Sequence, residues 1–395
     1  MSLRFIGPEF NDNFSVPTAG YATTGLGAAQ EIQTPHELKK NLPLWGLLVT
    51  LRMRLAIGGT NVGAKFPESI WNFIQRVRVE GKHRILGTRT LVNVSGPILR
   101  EYCLLHQAGF APLAVVGTTL STAADPLPTP AANQNNDIEL VLPVPFVPLA
   151  LFPRQQALYA LNSPDWDVLN VWITFGDASV VYAFNAGQVV TFSNFGGATG
   201  SPQCNIYMLR YLLGGARNLI RPAVRRLDML PMDSQLQSGG GGDVPIRDLT
   251  VGYKAVHYLI KTGTLAAGLS AGARAYGSLS DTIITRPKVK VDNVVKRDCG
   301  PSDPYVMKSY VAFQLESVNP EIGYNVIHFA EGHNASTFFP ADGLTSKNTY
   351  QLAGDYTAAA NQIGDILQEL IEGEPVVFTP DGVARQGVTG QVVSA

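Results

Sequence analysis

Ile74-Gln-Arg-Val-Arg-Val-Glu-Gly-Lys-His-Arg-Ile-Leu86 runs on to Gly96-Pro97 and then to Ile98 through His106. Val77 and Val79 alternate with Arg76, Arg78 and Glu80, the period of two of a strand with one buried face. Glu80-Gly81-Lys82 reads as a hairpin turn, because glycine accepts a positive φ there. Ser95 suits an N-cap and Pro97 is tolerated in a first turn, so a helix is expected over 97–106, stopping near Gly109. The same order returns about 200 residues later, roughly one domain length. There Val289-Lys-Val-Asp-Asn-Val-Val-Lys-Arg297 precedes Gly300-Pro301, with Ser302 as a possible cap for a helix from Tyr305 to Leu315. Two similar β units, neither with a catalytic signature, point to architecture before chemistry.

Working outward, residues 1–40 show no apolar period and read as an N-terminal arm. In Leu47 to Ile57 every second residue is apolar, whereas Thr50, Arg52 and Arg54 fall on the other face. The run Asp137 to Leu149 carries prolines at 143, 145 and 148, which implies an edge strand or one that bends between sheets. Trp166 to Phe175 is a clear strand, and Asn205 to Leu213 closes the first unit. Gly214 to Asp243, ending in Ser238 and four glycines, reads as a flexible loop. Strand patterning resumes at Gly252 to Ile260. Tyr324 to Phe329 and Asn348 to Leu352 follow, and Phe339-Pro340 echoes Phe152-Pro153. Asp365 to Ile371 suits a strand or a helix face equally. The tail after Pro380 reads as loose. Short strands between Gly/Pro/Asn turns, with one helix per unit, favour an all-β sandwich or jelly roll over a parallel α/β sheet.

Of the 395 residues, 45% are apolar, enough to fill two cores, and only 15% are charged, against about 25% in ordinary soluble proteins. A net charge of −1 and so few charges suggest a surface covered by neighbouring subunits; the alternative is a soluble surface rich in Ser, Thr, Asn and Gln. The neutral balance argues against a dedicated nucleic-acid binder. No window approaches the apolar length of a transmembrane helix, and the N-terminus lacks the apolar core of a signal peptide, so a protein made in the cytoplasm is expected. Cys103, Cys204 and Cys299 are too widely spaced for a zinc motif and fit buried, reduced thiols.

Few patterns could carry chemistry. Gly268-Leu-Ser-Ala-Gly272 matches a nucleophile elbow around Ser270, but no strand enters it, so a small-residue loop is the simpler reading. His328 and His333 stand five apart, where a helical zinc motif needs four, and read as a strand-end pair. Gly25-Leu-Gly27 and the glycines at 239–242 lack the remainder of any phosphate-binding motif. Arg210, Arg217, Arg221, Arg225 and Arg226, with Arg76, Arg78, Lys82, His83 and Arg84, could face lipid headgroups or nucleic acid; inter-subunit ion pairs on a solvated strand face are the competing reading. Asp165 with Asp167, and Glu372 with Glu374, are close carboxylate pairs that read as surface punctuation. No catalytic residue, cofactor site or metal site is expected.

The order of elements resembles the double jelly-roll major capsid proteins of the tectivirus–adenovirus lineage, found in membrane-containing icosahedral viruses. The resemblance rests on the strand 47–57, the hairpin from Ile74 with its helix at 97–106, the Leu-Pro-Val-Pro-Phe strand with Leu161-Asn162, the strand 166–175, and the repeat of this plan after 250. It spans about residues 41–375. It implies two eight-stranded jelly rolls: a first over 41–215, a connecting segment 216–250, a second over 251–378, and a C-terminal tail 379–395. It further implies pseudo-hexagonal homotrimers tiling a virion shell around a membrane, with minor capsid or vertex proteins as partners and no enzyme activity. A two-domain carbohydrate-binding β-sandwich, using Trp166 and Trp172 from one sheet face, is the alternative. A hydrolase built on Ser270 is a third.

Overall fold

The computed structural model describes residues 3–16, 30–31, 35–59, 63–106, 111–183, 189–197, 199–213, 219–221, 223–267, 274–298, 319–373, 376–378 and 384–386. The Gly300-Pro301 pair, the helix expected over 305–315, Ser270, Gly25-Leu-Gly27, Arg217 and Cys299 lie outside these residues.

The first unit contains β1 (Leu3–Ser15), β2 (Leu44–Gly58), β3 (Ile74–His83), β4 (Gly87–Val94), α1 (Gly96–Leu105), β5 (Leu113–Val116), β6 (Gln134–Pro145), β7 (Trp166–Phe175), β8 (Val189–Ser193) and β9 (Gln203–Leu213). One sheet runs β1-β9-β2-β6-β5, with β8 also on β2; facing it, β7 pairs with β3 and β3 with β4. Along β2 the expected face is the buried one: Leu47, Val49, Leu51, Met53, Leu55 and Ile57 all point into the core. Each such side chain contributes about 1.5–3 kcal/mol by leaving water. Pro143 and Pro145 stand beyond the stretch 138–141 that pairs with β5, where β6 has β2 as its sole described neighbour. A missing N–H costs no second ladder there.

The second unit contains β10 (Val224–Pro231), α2 (Asp233–Ser238), β11 (Gly240–Asp248), β12 (Lys254–Leu265), β13 (Tyr276–Leu279), β14 (Ile284–Val291), β15 (Val294–Asp298), β16 (Tyr324–His328), β17 (Tyr350–Thr357) and β18 (Gln362–Glu372). The sheet β13-β12-β18-β10, with β16 on β12, faces the sheet β11-β17-β14-β15. The first unit's apolar core also takes in Leu227, Leu259, Tyr324, Val326 and Leu367 of the second unit, which has a further core of its own. The two are continuous through one sheet, because β10 pairs antiparallel with β18 and parallel with β4, at Leu227 opposite Val92 and Asp228 opposite Asn93.

Four sequence readings change. The Gly81 turn is not a turn: Gly81 lies inside β3, and an added Cβ would sit 2.5 Å from the Trp166 ring and 2.7 Å from the Leu169 side chain. The hairpin turns instead just before Gly87, whose φ is +73°. Part of the unpatterned arm is β1, an edge strand on β9 whose bulges at Ile6/Glu9 and Phe10/Asp12 break any alternation. Much of the expected flexible loop 214–243 is ordered as β10 and α2, and the glycine run enters the exposed edge strand β11. β10 escaped notice because Arg225 occupies a buried position that should look apolar. The ambiguous segment 365–371 is strand β18, buried on both faces and therefore without alternation.

Candidate functional site: the seam between the barrels

Helix α1 follows from its sequence: Ser95 takes the N-cap position in extended conformation, and Pro97 sits in the first turn. Ser95 contributes its carbonyl to Leu99 N–H, with no side-chain cap. Gly96 is required because a Cβ would lie 2.8 Å from the Trp71 and Ile74 carbonyls. Nearly every residue of the helix is buried, Arg100 and Glu101 included. A short helix buried all round with two charges needs partners on every side. Many of those partners come from the second barrel.

Three buried polar groups cross the seam. In the first, Arg225 Nε donates to Glu369 Oε1 at 2.5 Å, and its other nitrogens donate to the Tyr102 hydroxyl at 2.6 Å and the Pro145 carbonyl at 2.5 Å. Tyr102 donates onward to Glu369 Oε1 at 2.8 Å. In the second, Lys261 of β12 and the Tyr324 hydroxyl both donate to Glu68. Lys261 Nζ also lies 4.1 Å from the centroid of the Tyr276 ring. Burial lowers the Lys261 pKa, against the opposing pull of Glu68. In the third, Arg100 grips Glu321 with two nitrogens at 2.8 and 3.1 Å and the Thr122 carbonyl at 2.5 Å. Glu101 beside it accepts from the Glu321 backbone N–H at 2.9 Å, and burial pushes its carboxyl up to about 7. Nearer the surface, Arg89 holds Glu372 through two 2.8 Å bonds, and Gln75 exchanges both amide bonds with Arg274 backbone atoms at 2.8 and 2.9 Å. Buried ionic groups of this kind add little net stability, but losing one partner is costly. They hold the two barrels in one relation.

The arginines grouped by sequence do not form one surface. Arg210 is buried in β9 and pairs with Glu9 at 3.0 Å, Arg225 is buried in the seam, and Arg226 pairs with Asp228 at 2.5 Å. Arg78 lies over the Trp172 ring at 4.4 Å, Arg84 reaches Asp167 at 3.4 Å, and Arg76 reaches Asn93 at 2.5 Å. The His83 ring nitrogen accepts from Ile85 and Leu86 N–H, and burial lowers its pKa. Trp166 and Trp172 do not share a face. A bulge between Trp166 and Val168 shifts the parity of β7, burying Trp166 and leaving Trp172 half-buried under Arg78. That removes the paired aromatic platform a carbohydrate binder would need. Asp165 accepts from Asn162 and Glu372 is taken by Arg89, whereas Glu374 lies outside the described residues. Cys103 and Cys204 are buried free thiols, with pKa values raised by burial.

His328 ends β16 and its Nε2 faces the Ala330 carbonyl at 2.9 Å, whereas His333 contacts the Ala150 carbonyl at 2.7 Å; they do not form a site together. Among the described residues, the group able to hold a metal is His106, His257 and Glu369. Sequence reasoning missed it because the three come from distant segments and share no motif. No described helix is long and apolar enough to cross a membrane.

No protein-family model matches this chain, and no curated protein matches it. Solved structures do. The major capsid protein of STIV is 15% identical, with 91% of this chain and 95% of that one covered and a TM-score of 0.51. A chain of the PBCV-1 virus capsid is 11% identical, with 98% of each chain covered and a TM-score of 0.53. PBCV-1 VP54, fitted into a reconstruction of the virophage Sputnik, is 12% identical over 98% of both chains, also at 0.53. Two jelly rolls joined through one sheet, matched from end to end at low identity, give this chain the double jelly-roll fold of those viral capsid proteins.

Proposed function

We propose that the chain is a major capsid protein that self-assembles, as pseudo-hexagonal homotrimers, into an icosahedral shell around an internal membrane. The observation that carries this reading is coverage. The superposition runs over more than nine-tenths of this chain and of the capsid chains it is matched with, so arm, barrels and connection follow one shared plan. The sparse charge of the chain supports it, since a tile covered by neighbours keeps little solvated surface. The chain acts without turnover, and its partners are copies of itself together with minor capsid or vertex proteins. We divide it into an arm over 1–40, barrels over 41–215 and 251–378, a connection over 216–250 and a tail over 379–395. Inside that connection β10 and α2 pack with the second barrel. Membrane proximity does not rest on the 210–226 arginines, since Arg210 and Arg225 are buried.

Light scattering on the purified full chain at micromolar concentration tests the reading. A species of three chain masses is the expected result, and a monomer that persists at high concentration overturns it. Negative-stain images of the trimer should show a six-cornered outline.

A further inference from the structure

His106 follows α1 of the first barrel, and His257 and Glu369 lie on β12 and β18 of the second. His106 Nε2 and His257 Nδ1 are 3.0 Å apart, and one ligand atom from each of the three residues falls within 4.8 Å of the other two. Two ligands on one tetrahedral zinc ion, each at about 2.0–2.1 Å, are separated by roughly 3.3 Å. The histidine pair already stands close to that spacing, in a ring-to-ring hydrogen bond that a cation held by both nitrogens would replace. His257 and Glu369 have no exposed surface, and Glu369 Oε2 is buried without a hydrogen-bond partner. Buried polar atoms are rarely left in this state.

The surroundings also suit a ligand set. Glu369 has its other oxygen fixed by Arg225 and Tyr102, which orients the carboxylate as an outer shell does in metal sites. The Arg225 charge opposes a cation and is offset by Glu369 itself. His106 is the least buried of the three.

We propose that His106, His257 and Glu369 form a binding site for a borderline divalent cation of the zinc class, tying α1 of the first barrel to the sheet of the second. Two imidazoles and a carboxylate are a three-ligand zinc set that leaves one position open. The site is independent of the capsid reading, since it asks only that the two barrels pack as described.

Cobalt(II) is the probe, added to chelator-treated full-length protein. The expected result is one cobalt per chain with visible absorption bands of a four-coordinate site, displaced by zinc, and a raised melting temperature. His106→Ala removes the ligand nearest the surface and should lower cobalt affinity at least 10-fold while keeping the circular dichroism spectrum. His328→Gln, outside the set, should bind as the wild type does. Absence of the bands in the wild-type protein at millimolar cobalt overturns the proposal. So does a His106→Ala protein that binds cobalt as tightly as wild type.

Discussion

Gly81 carries its constraint in one missing atom. The Trp166 ring, the Leu169 side chain and the Val168 carbonyl occupy the space a Cβ would need. Gly81→Ala should therefore cost about 2–3 kcal/mol through overpacking, read as a lower urea midpoint with an unchanged slope. Glu101 makes a separate prediction about pH. Its carboxyl titrates near 7 when folded, above the ordinary 4.5, so the folded chain holds this proton more tightly than the unfolded one. The stability it contributes is full below 4.5 and is lost as pH rises through 7. Glu101→Gln should remove that slope, gaining up to roughly 3 kcal/mol on the wild type between pH 5 and 8. Melting curves across that range check it; parallel curves for the two proteins would refute the assignment. Lys261 and Glu68 make a third case. Lys261→Met strands a buried carboxylate and should cost about 3–5 kcal/mol, and adding Glu68→Gln should restore much of it. Denaturant titration of the single and double variants measures the coupling.

At the scale of elements, the hairpin between β14 and β15 turns on Asp292 and Asn293, both left-handed at φ +50° and +63°. That geometry matches the right-handed twist of the strands and favours Asn or Gly. Asn293→Gly should be neutral or slightly stabilising and Asn293→Ala about 1 kcal/mol worse, compared by thermal melts. β2 and β7 were legible as strands because one face of each is wet, so alternation survives in the letters. β18 was not, since the first barrel covers its outer face and buries Asp365 and Glu369 there beside Leu367, while Gln368 is buried on the inner face with Ile366 and Leu370. β10 was hidden for the same reason. A buried arginine looks like a surface residue until its carboxylate partner, 144 positions away, is in place.

Taken as a whole, the molecule has one sheet that passes from the first barrel into the second, and three buried ionic groups close the same seam. Neither barrel can leave the other without exposing them. Unfolding of the monomeric chain should accordingly appear as a single transition, with fluorescence and circular dichroism coincident. Two separated transitions would show barrels that are thermodynamically independent. For the shell tile proposed above, one rigid body is the useful outcome, because lateral contacts then meet surfaces in a constant relation.

Alternation and turn residues were enough to read an all-β chain of two units, since these are local properties written at short spacing; the second Gly-Pro pair lies outside the described residues. The low charge was enough to suggest a covered surface. The seam was beyond that reach. Its residues are charged side chains from α1, β10, β12 and β18, and each looks solvated in its own segment. Whether a buried charge is tolerated depends on a partner brought within about 3 Å by packing. That proximity, which also gathers His106, His257 and Glu369, comes from how the barrels meet, and no local pattern encodes it.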